Sequence, residues 1–300
     1  MSEKTSVFAP VPIVAAMKKV LQVLKLSEGA EAWDQVRATE LQRSFFHDYY
    51  ALRGKNPLEC FSKDELKSYA SASAETLNKI LERNGFPDMR LADLNRWEFG
   101  TAAILDVMLS WRKKGIKTNL KYEGKNYPAV EMAGGLDAGF EIVRYKGNDV
   151  AAIKTKNGDV VYMTIADKAY EGFALANRIN AIADTTPKNS EEKVDSLYFP
   201  MIDAKVDSDI SWLCGLRIKR TDFYIAQALE QTKIRMDETG VRVTSAVSLG
   251  MQITAYARIV RIDKPFFMWI ERTDKEGGKL RYFYGYFAED SWKAPEGLTR

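Results

Sequence analysis

A chain of 300 residues, 46% hydrophobic and 28% charged, reads as a globular protein with room for a sizeable core. Its net charge of +3 gives no argument for nucleic acid, a polyanion or a membrane surface as partner. One histidine, His47, argues against a multi-histidine metal centre and leaves any Ser-His or Cys-His machine a single base, while two cysteines, Cys60 and Cys214, make no disulfide framework.

In chain order, apolar residues Ile13, Val14, Met17, Val20, Leu21 and Leu24 predict a helix from Pro12 to about Lys25. The apolar run before it is short and broken by prolines, so neither a secretory signal nor a membrane span is read there. A reduced, cytoplasmic setting is the default expectation, although a mature secreted chain would also lack its signal. "RSFFHDYYALR" predicts an amphipathic helix in which His47 packs among Phe45, Phe46, Tyr49 and Tyr50 rather than acting as a catalyst. Cys60 and Cys214 read as buried apolar fillers. A further helix is expected over "SKDELKSYASASAETLNKILERNG", with Ser62 as cap, Glu65 three residues on and Asn84-Gly85 as the stop. "EFGTAAILDVMLSW" fits a buried strand as well as a helix. No phosphate-cradling glycine loop of either common spacing is present, and nothing in the residue inventory argues for an enzyme, a metal or a cofactor.

From Lys117 the pattern turns to β. "KTNLKYEGKNYPAVEMAG" predicts strand, turn and strand; "FEIVRYKGNDVAAIKTKNGDVVYMTI" predicts three strands, with Asn157-Gly158 a hairpin signal. "AYEGFALANRINAIA" is a helix and "TTPKNSEEKVDS" a polar connection; "LYFPMIDAKVD" begins a strand and "SDISWLCGLRI" a short helix. After "FYIAQALEQTKIRMDETG" come fourteen alternating residues, 241–254. Val241, Val243, Val247, Leu249, Met251 and Ile253 share one side; Arg242, Thr244, Ala246, Ser248, Gly250, Gln252 and Thr254 share the other. Ordinary strands run about 5–6 residues, so this one is long. Two aromatic strands joined by a charged hairpin close the chain. With no Gly-, Ser- or Pro-rich linker, residues 1–300 are expected to form one α+β domain, helices packed on large, mixed, mostly antiparallel sheets.

Six segments in order resemble the serpin family, over most of the chain. "SVFAPVPIVAAM" is similar to the opening of the second serpin helix, and "AAILDVMLSWRKKGI" to the central strand that ends in a tryptophan and a lysine-rich turn. "GFEIVRYKGNDVAAI" resembles the Tyr-x-Gly turn segment, and "YFPMIDAKV" stands where serpins have Leu-Pro-Lys-Phe. "FYIAQALEQTKIRMDETG" resembles the strand leading into the reactive-loop hinge, and "DKPFFMWIERTDKEGGKLRYFYGYF" the terminal strand pair.

The resemblance implies a loop that offers a bait bond to a protease and, once cut, adds as a strand to the main sheet. It assigns the hinge to Glu238, Thr239, Gly240, Val241 and Val243, and the scissile bond to Thr254–Ala255, with Arg258 as an alternative bait. It places Trp111 and Glu230 where the strand enters. Inserted over fourteen residues at about 3.3 Å each, the strand would carry an attached protease roughly 46 Å. The implied partner is a protease of elastase-like or trypsin-like specificity, of the serine or cysteine class, met by a monomer.

The sequence departs from the serpin pattern at several points. The hinge continues into β-branched Val241 and Val243 rather than small residues, which suits the inserted strand but slows its entry. Ala9 and Pro12 stand where serpins have two serines of the gate, and Glu230 where they have its histidine. The first serpin helix is expected to be missing and the region 25–99 shortened. Two other readings stay open: a serpin fold without inhibition, binding through Arg112, Lys113, Lys114 and Lys117, and an unrelated α+β protein with an ordinary long strand at 241–254.

Overall fold

Strand β1 (Ser6–Phe8) passes directly into helix α1 (Pro10–Val23), whose first turn holds both prolines. Proline costs nothing there, because first-turn amides have no intrahelical partner. The computed structural model describes residues 3–50, 56–95, 98–135, 138–145, 148–185, 188–189, 194–241 and 258–296. Helix α2 (Glu40–Phe45) starts at a capping box in which Thr39 and Gln42 satisfy each other's backbone amides. It runs into a π-helical turn, Phe46–Tyr50. Phe45, Phe46, Tyr49 and Tyr50 are buried as expected. His47 is not: its side chain is 88% exposed and pairs with Asp48 at 2.6 Å, because the turn aims it away from the aromatic face.

The helix expected over 62–85 is half strand. Ser62 and Glu65 do make a reciprocal cap, with Ser62 Oγ accepting from the Glu65 amide at 3.3 Å and Glu65 Oε2 accepting from the Ser62 amide at 2.9 Å. Yet β2 (Leu66–Ser71) follows, and α3 (Ala74–Arg83) starts only after a second cap, Ser73. The reason is tertiary. All six residues of β2 pair antiparallel with β3 (Glu98–Leu105), from Leu66↔Leu105 to Ser71↔Gly100, and a full ladder outweighs one cap.

The remaining elements follow in order: β4 (Leu109–Ser110), β5 (Ile116–Tyr122), β6 (Lys125–Ala133), β7 (Phe140–Tyr145), β8 (Asn148–Lys154), β9 (Val160–Ile165), α4 (Gly172–Ala183) and β10 (Lys188–Asn189). Then come β11 (Ser196–Pro200), β12 (Ile202–Ser208), β13 (Tyr224–Ile225), β14 (Glu230–Met236), β15 (Gly240–Val241), β16 (Ile259–Arg261), β17 (Phe266–Thr273) and β18 (Lys279–Phe287). The ambiguous segment from Glu98 is therefore strand. Contacts group the chain into two units interleaved in sequence: unit 1 is Met1–Phe8, Met108–Val206 and Thr232–Arg300, and unit 2 is Ala9–Val107 and Asp207–Gln231.

Unit 1 holds a seven-stranded sheet, β1-β18-β17-β9-β8-β7-β10, and a four-stranded sheet, β16-β11-β6-β5. Every neighbour in these sheets is antiparallel except β11 and β16. The terminal pair is its core. Phe266, Phe267, Met268 and Trp269 are all fully buried, so β17 reads as a continuous apolar run rather than an alternation. Trp269 stacks on its cross-strand partner Tyr162 at 5.0 Å.

Below the Asn157-Gly158 turn, buried Asp159 accepts from Arg272 twice, at 2.9 and 2.8 Å, and from the Tyr282 hydroxyl at 3.0 Å. Asp159→Asn would take away the carboxylate charge with which this guanidinium, 12% exposed, is paired. The expected cost is about 3–5 kcal/mol, read as a lower urea midpoint with an unchanged slope.

Unit 2 holds α1, α2, α3 and the three-stranded sheet β13-β3-β2. β13 runs parallel to β3 and meets it only at Tyr224↔Glu98 and Ile225↔Phe99. Leu77 and Leu81 of α3 pack on Ala102, Leu91 and Tyr69. Neither cysteine is the buried filler expected: Cys60 is half-buried and Cys214 exposed. β12 pairs with β14 in a separate two-stranded ladder. Among the described residues, no helix is long and apolar enough to cross a membrane, and no cluster of three or more metal-ligating side chains occurs.

Candidate functional site: a reversed hinge and its anchors

At the end of β14 the chain turns back on itself in unit 1. The Asp237 amide donates to the Gly240 carbonyl at 2.9 Å and the Gly240 amide to the Asp237 carbonyl at 3.4 Å. The Asp237 carboxylate builds the turn, accepting from the Thr239 amide at 2.7 Å and the Thr239 hydroxyl at 2.6 Å. Gly240 and Val241 then run antiparallel to β4, in register Gly240↔Ser110 and Val241↔Leu109. Gly240 is required here. A Cβ at this position would lie 2.1 Å from the Leu109 carbonyl oxygen and 2.8 Å from the Ser110 Cα.

Trp111 holds the turn from the β4 side. Its backbone amide donates to the Thr239 carbonyl at 3.0 Å and its indole Nε1–H to the Asp237 carbonyl at 2.9 Å. The indole is fully buried and meets Phe199 edge-on at 6.1 Å. The Gly115 amide donates to the Glu238 carbonyl at 2.7 Å. Buried Glu238 places Oε1 3.7 Å from Lys117 Nζ and 3.9 Å from Lys114 Nζ. Two lysines of the basic run thus face the Glu238 carboxylate. The role of Asp237 and this charge pairing escaped the sequence reading, although Asp-x-x-Gly is itself a turn signal.

Val243, Thr254 and Ala255 lie outside the described residues, and of Val241 only the backbone is described. The chain resumes at Arg258, which is held on three sides. Its amide donates to the Asp195 carboxylate at 3.1 Å, its carbonyl accepts from the Asp195 amide at 2.9 Å, and its guanidinium reaches Asp149 at 2.8 Å. β16 then pairs in parallel with β11.

The three positions that the resemblance assigns to the gate, Ala9, Pro12 and Glu230, lie in unit 2. Pro12 and Glu230 both line a cavity of about 30 Å³, with Ile13, Met17, Ala102 and Leu213. The Ala9 amide and the Ser208 hydroxyl are the dipoles that favour charge on Glu230, and burial outweighs them, pushing its pKa up to about 8.

No family model matches this sequence, and the search among curated proteins found no match. Solved structures do match. The chain is similar to tengpin, a thermophilic serpin, in its native state: TM-score 0.59, 12% identity, 96% of this chain and 89% of that one covered. It is similar to the mouse protein Z-dependent protease inhibitor, with TM-score 0.55, 11% identity, and 95% and 90% coverage. It is also similar to human thyroxine-binding globulin complexed with thyroxine, with TM-score 0.51, 13% identity, and 94% and 91% coverage. The chain has the serpin fold.

Proposed function

We propose that this protein is a single-use protease inhibitor, with the loop 238–258 as the bait and β15 as the first step of strand insertion. The observation that carries the reading is the hinge: Gly240 and Val241 already run antiparallel to β4, and Gly240 is bridged to Asp237 on the other side. Residues that follow in the same direction would extend a strand, and their alternation from Val241 to Ile253 suits one with a buried face. Cleavage between Thr254 and Ala255 would free that segment from its C-terminal tether. The new pairing and burial would then drive the change, as in other proteins that release a stored conformation on proteolysis.

Arg258 suits the role less well. Both sides of its backbone are bonded to Asp195 and its guanidinium to Asp149, whereas a protease needs an extended, unpaired backbone around the cut. Target proteases with a small apolar pocket are therefore favoured over trypsin-like ones. Incubation with pancreatic elastase is expected to give a complex that survives boiling in detergent, with Ala255 as the new amino terminus of the released peptide. Cleavage at that bond with no trapped complex would defeat the inhibitory reading.

The second reading is a serpin-fold binding protein without inhibition. It draws on the bulky hinge residues Val241 and Val243, on the missing gate serines at Ala9 and Pro12, and on the likeness to a thyroxine-binding globulin. Arg112, Lys113, Lys114 and Lys117 would form its surface.

A further inference from the structure

The chain contains two Asn-Gly pairs, Asn84-Gly85 and Asn157-Gly158, and the fold treats them differently. In such a pair the glycine nitrogen has no Cβ beside it to block its approach to the asparagine side-chain carbonyl. Asn84 is committed to the end of α3. Its Nδ2 donates to the Ile80 carbonyl at 2.8 Å, and the Gly85 amide donates to the Glu82 carbonyl at 3.0 Å. Asn157 and Gly158 instead stand exposed in the turn between β8 and β9. The Gly158 amide reaches its acceptor, the Thr155 carbonyl, only at 3.4 Å, and a Cβ built on Gly158 would meet nothing within 4 Å.

Two buried residues face the Asn157 side chain. The Thr155 hydroxyl lies 2.6 Å from Asn157 Oδ1 and 2.6 Å from the Asp159 carbonyl oxygen, so its one proton bridges the two. A donor at the oxygen that gains charge is what a tetrahedral intermediate needs. Asp159 Oδ2 accepts from Asn157 Nδ2 at 3.4 Å. The same turn is tied to β4 and the two residues after it. The Lys156 amide donates to the Ser110 carbonyl at 2.9 Å, the Arg112 amide to the Lys154 carbonyl at 2.9 Å, and Thr155 is bridged to Trp111.

We propose that Asn157 is a self-modification site, converted to aspartate and isoaspartate by its own turn in the folded protein, with a product that loosens the hold on Ser110–Arg112. The Gly158 nitrogen bonds to the Asn157 side-chain carbon. The bond from that carbon to Nδ2 breaks, and ammonia leaves with the proton of the Gly158 amide. Water then opens the cyclic imide: the bond from the nitrogen to one carbonyl carbon breaks, the hydroxyl goes to that carbon and the proton to the nitrogen. Opening at the side-chain carbon leaves a carboxylate at position 157. It removes a donor from Asp159 and sets a second negative charge beside it, while both Asp159 oxygens already accept from Arg272. Opening at the backbone carbon adds one carbon to the main chain inside the turn that the Thr155 amide closes on the Asp159 carbonyl at 3.0 Å. The modification stands on unit 1 alone and does not require protease inhibition.

Peptide mapping by mass spectrometry, on protein held in mildly alkaline buffer, reads the conversion. In the folded chain the amide-to-acid mass gain is expected at Asn157 at least about tenfold faster than at Asn84, a fraction of what one well-placed donor supplies. In urea the two are expected to convert at comparable rates. A folded chain that keeps Asn157 intact while the unfolded chain loses it would overturn the proposal, and so would equal rates at the two sites in the folded chain. Asn157→Asp carries the charge of one product without the lengthened main chain. Its unfolding constant is expected to rise at least about fivefold, the loss of one hydrogen bond to a buried carboxylate, with faster amide exchange at Arg112 and Lys156. An unchanged urea midpoint and unchanged exchange would overturn the loosening.

Discussion

Cutting the chain between Thr254 and Ala255 is expected to raise its melting temperature by about 10–20 °C, the equivalent of about 6–13 kcal/mol at the midpoint for a chain of 300 residues. The expectation rests on the hinge. The chain between the hinge and Arg258 is tethered at both ends, its far end being bound at Arg258 through Asp195 and Asp149. Cleavage removes that tether. Val243, Val247, Leu249, Met251 and Ile253 then have a route to burial, and each extra strand residue finds backbone partners. Calorimetry before and after limited proteolysis with an elastase-like enzyme measures it. An unchanged melting temperature after complete cleavage at that bond would remove strand insertion and leave the fold alone.

Gly240→Ala should separate cleavage from trapping. The added methyl would sit 2.1 Å from a carbonyl oxygen and 2.8 Å from a Cα, both backbone atoms of β4 that cannot swing aside. Gly240 also adopts φ +155°, where a Cβ is itself strained. β15 must therefore leave β4 or push it away, and the inserted strand loses its first residues. The variant is expected to be cut at an unchanged rate while the trapped fraction falls at least about tenfold, the equivalent of about 1.4 kcal/mol against insertion. Wild-type trapping by Gly240→Ala would show that the β15–β4 pairing plays no part in capture.

Much of the fold was legible in the chain because its signals are local. The apolar run at Phe266–Ile270, the Asn157-Gly158 turn and the periodicity of α4 and α1 need no distant residue to be read. The order of segments was enough to suggest the serpin resemblance, and the solved structures similar to this chain have that fold. Trp111 and the hinge Glu238-Thr239-Gly240 were singled out from the same order, and in unit 1 they are joined by hydrogen bonds. His47 misled, because the amphipathic pattern around it does not say which side of a π-helical turn faces out.

Composition and spacing by themselves determined that this is an α+β chain with a long alternating segment near Val241, behind an Asp-x-x-Gly turn. Only the tertiary structure decided that Leu66–Ser71 is a strand, that Arg258 is tied down, and that Glu230 is a buried acid lining a cavity. The reason is one of range. Periodicity is carried by residues a few positions apart, whereas a ladder, an ion pair or the desolvation of a carboxyl is set by groups far along the chain, such as β3 for β2, Asp149 for Arg258, and α1 and β3 for Glu230.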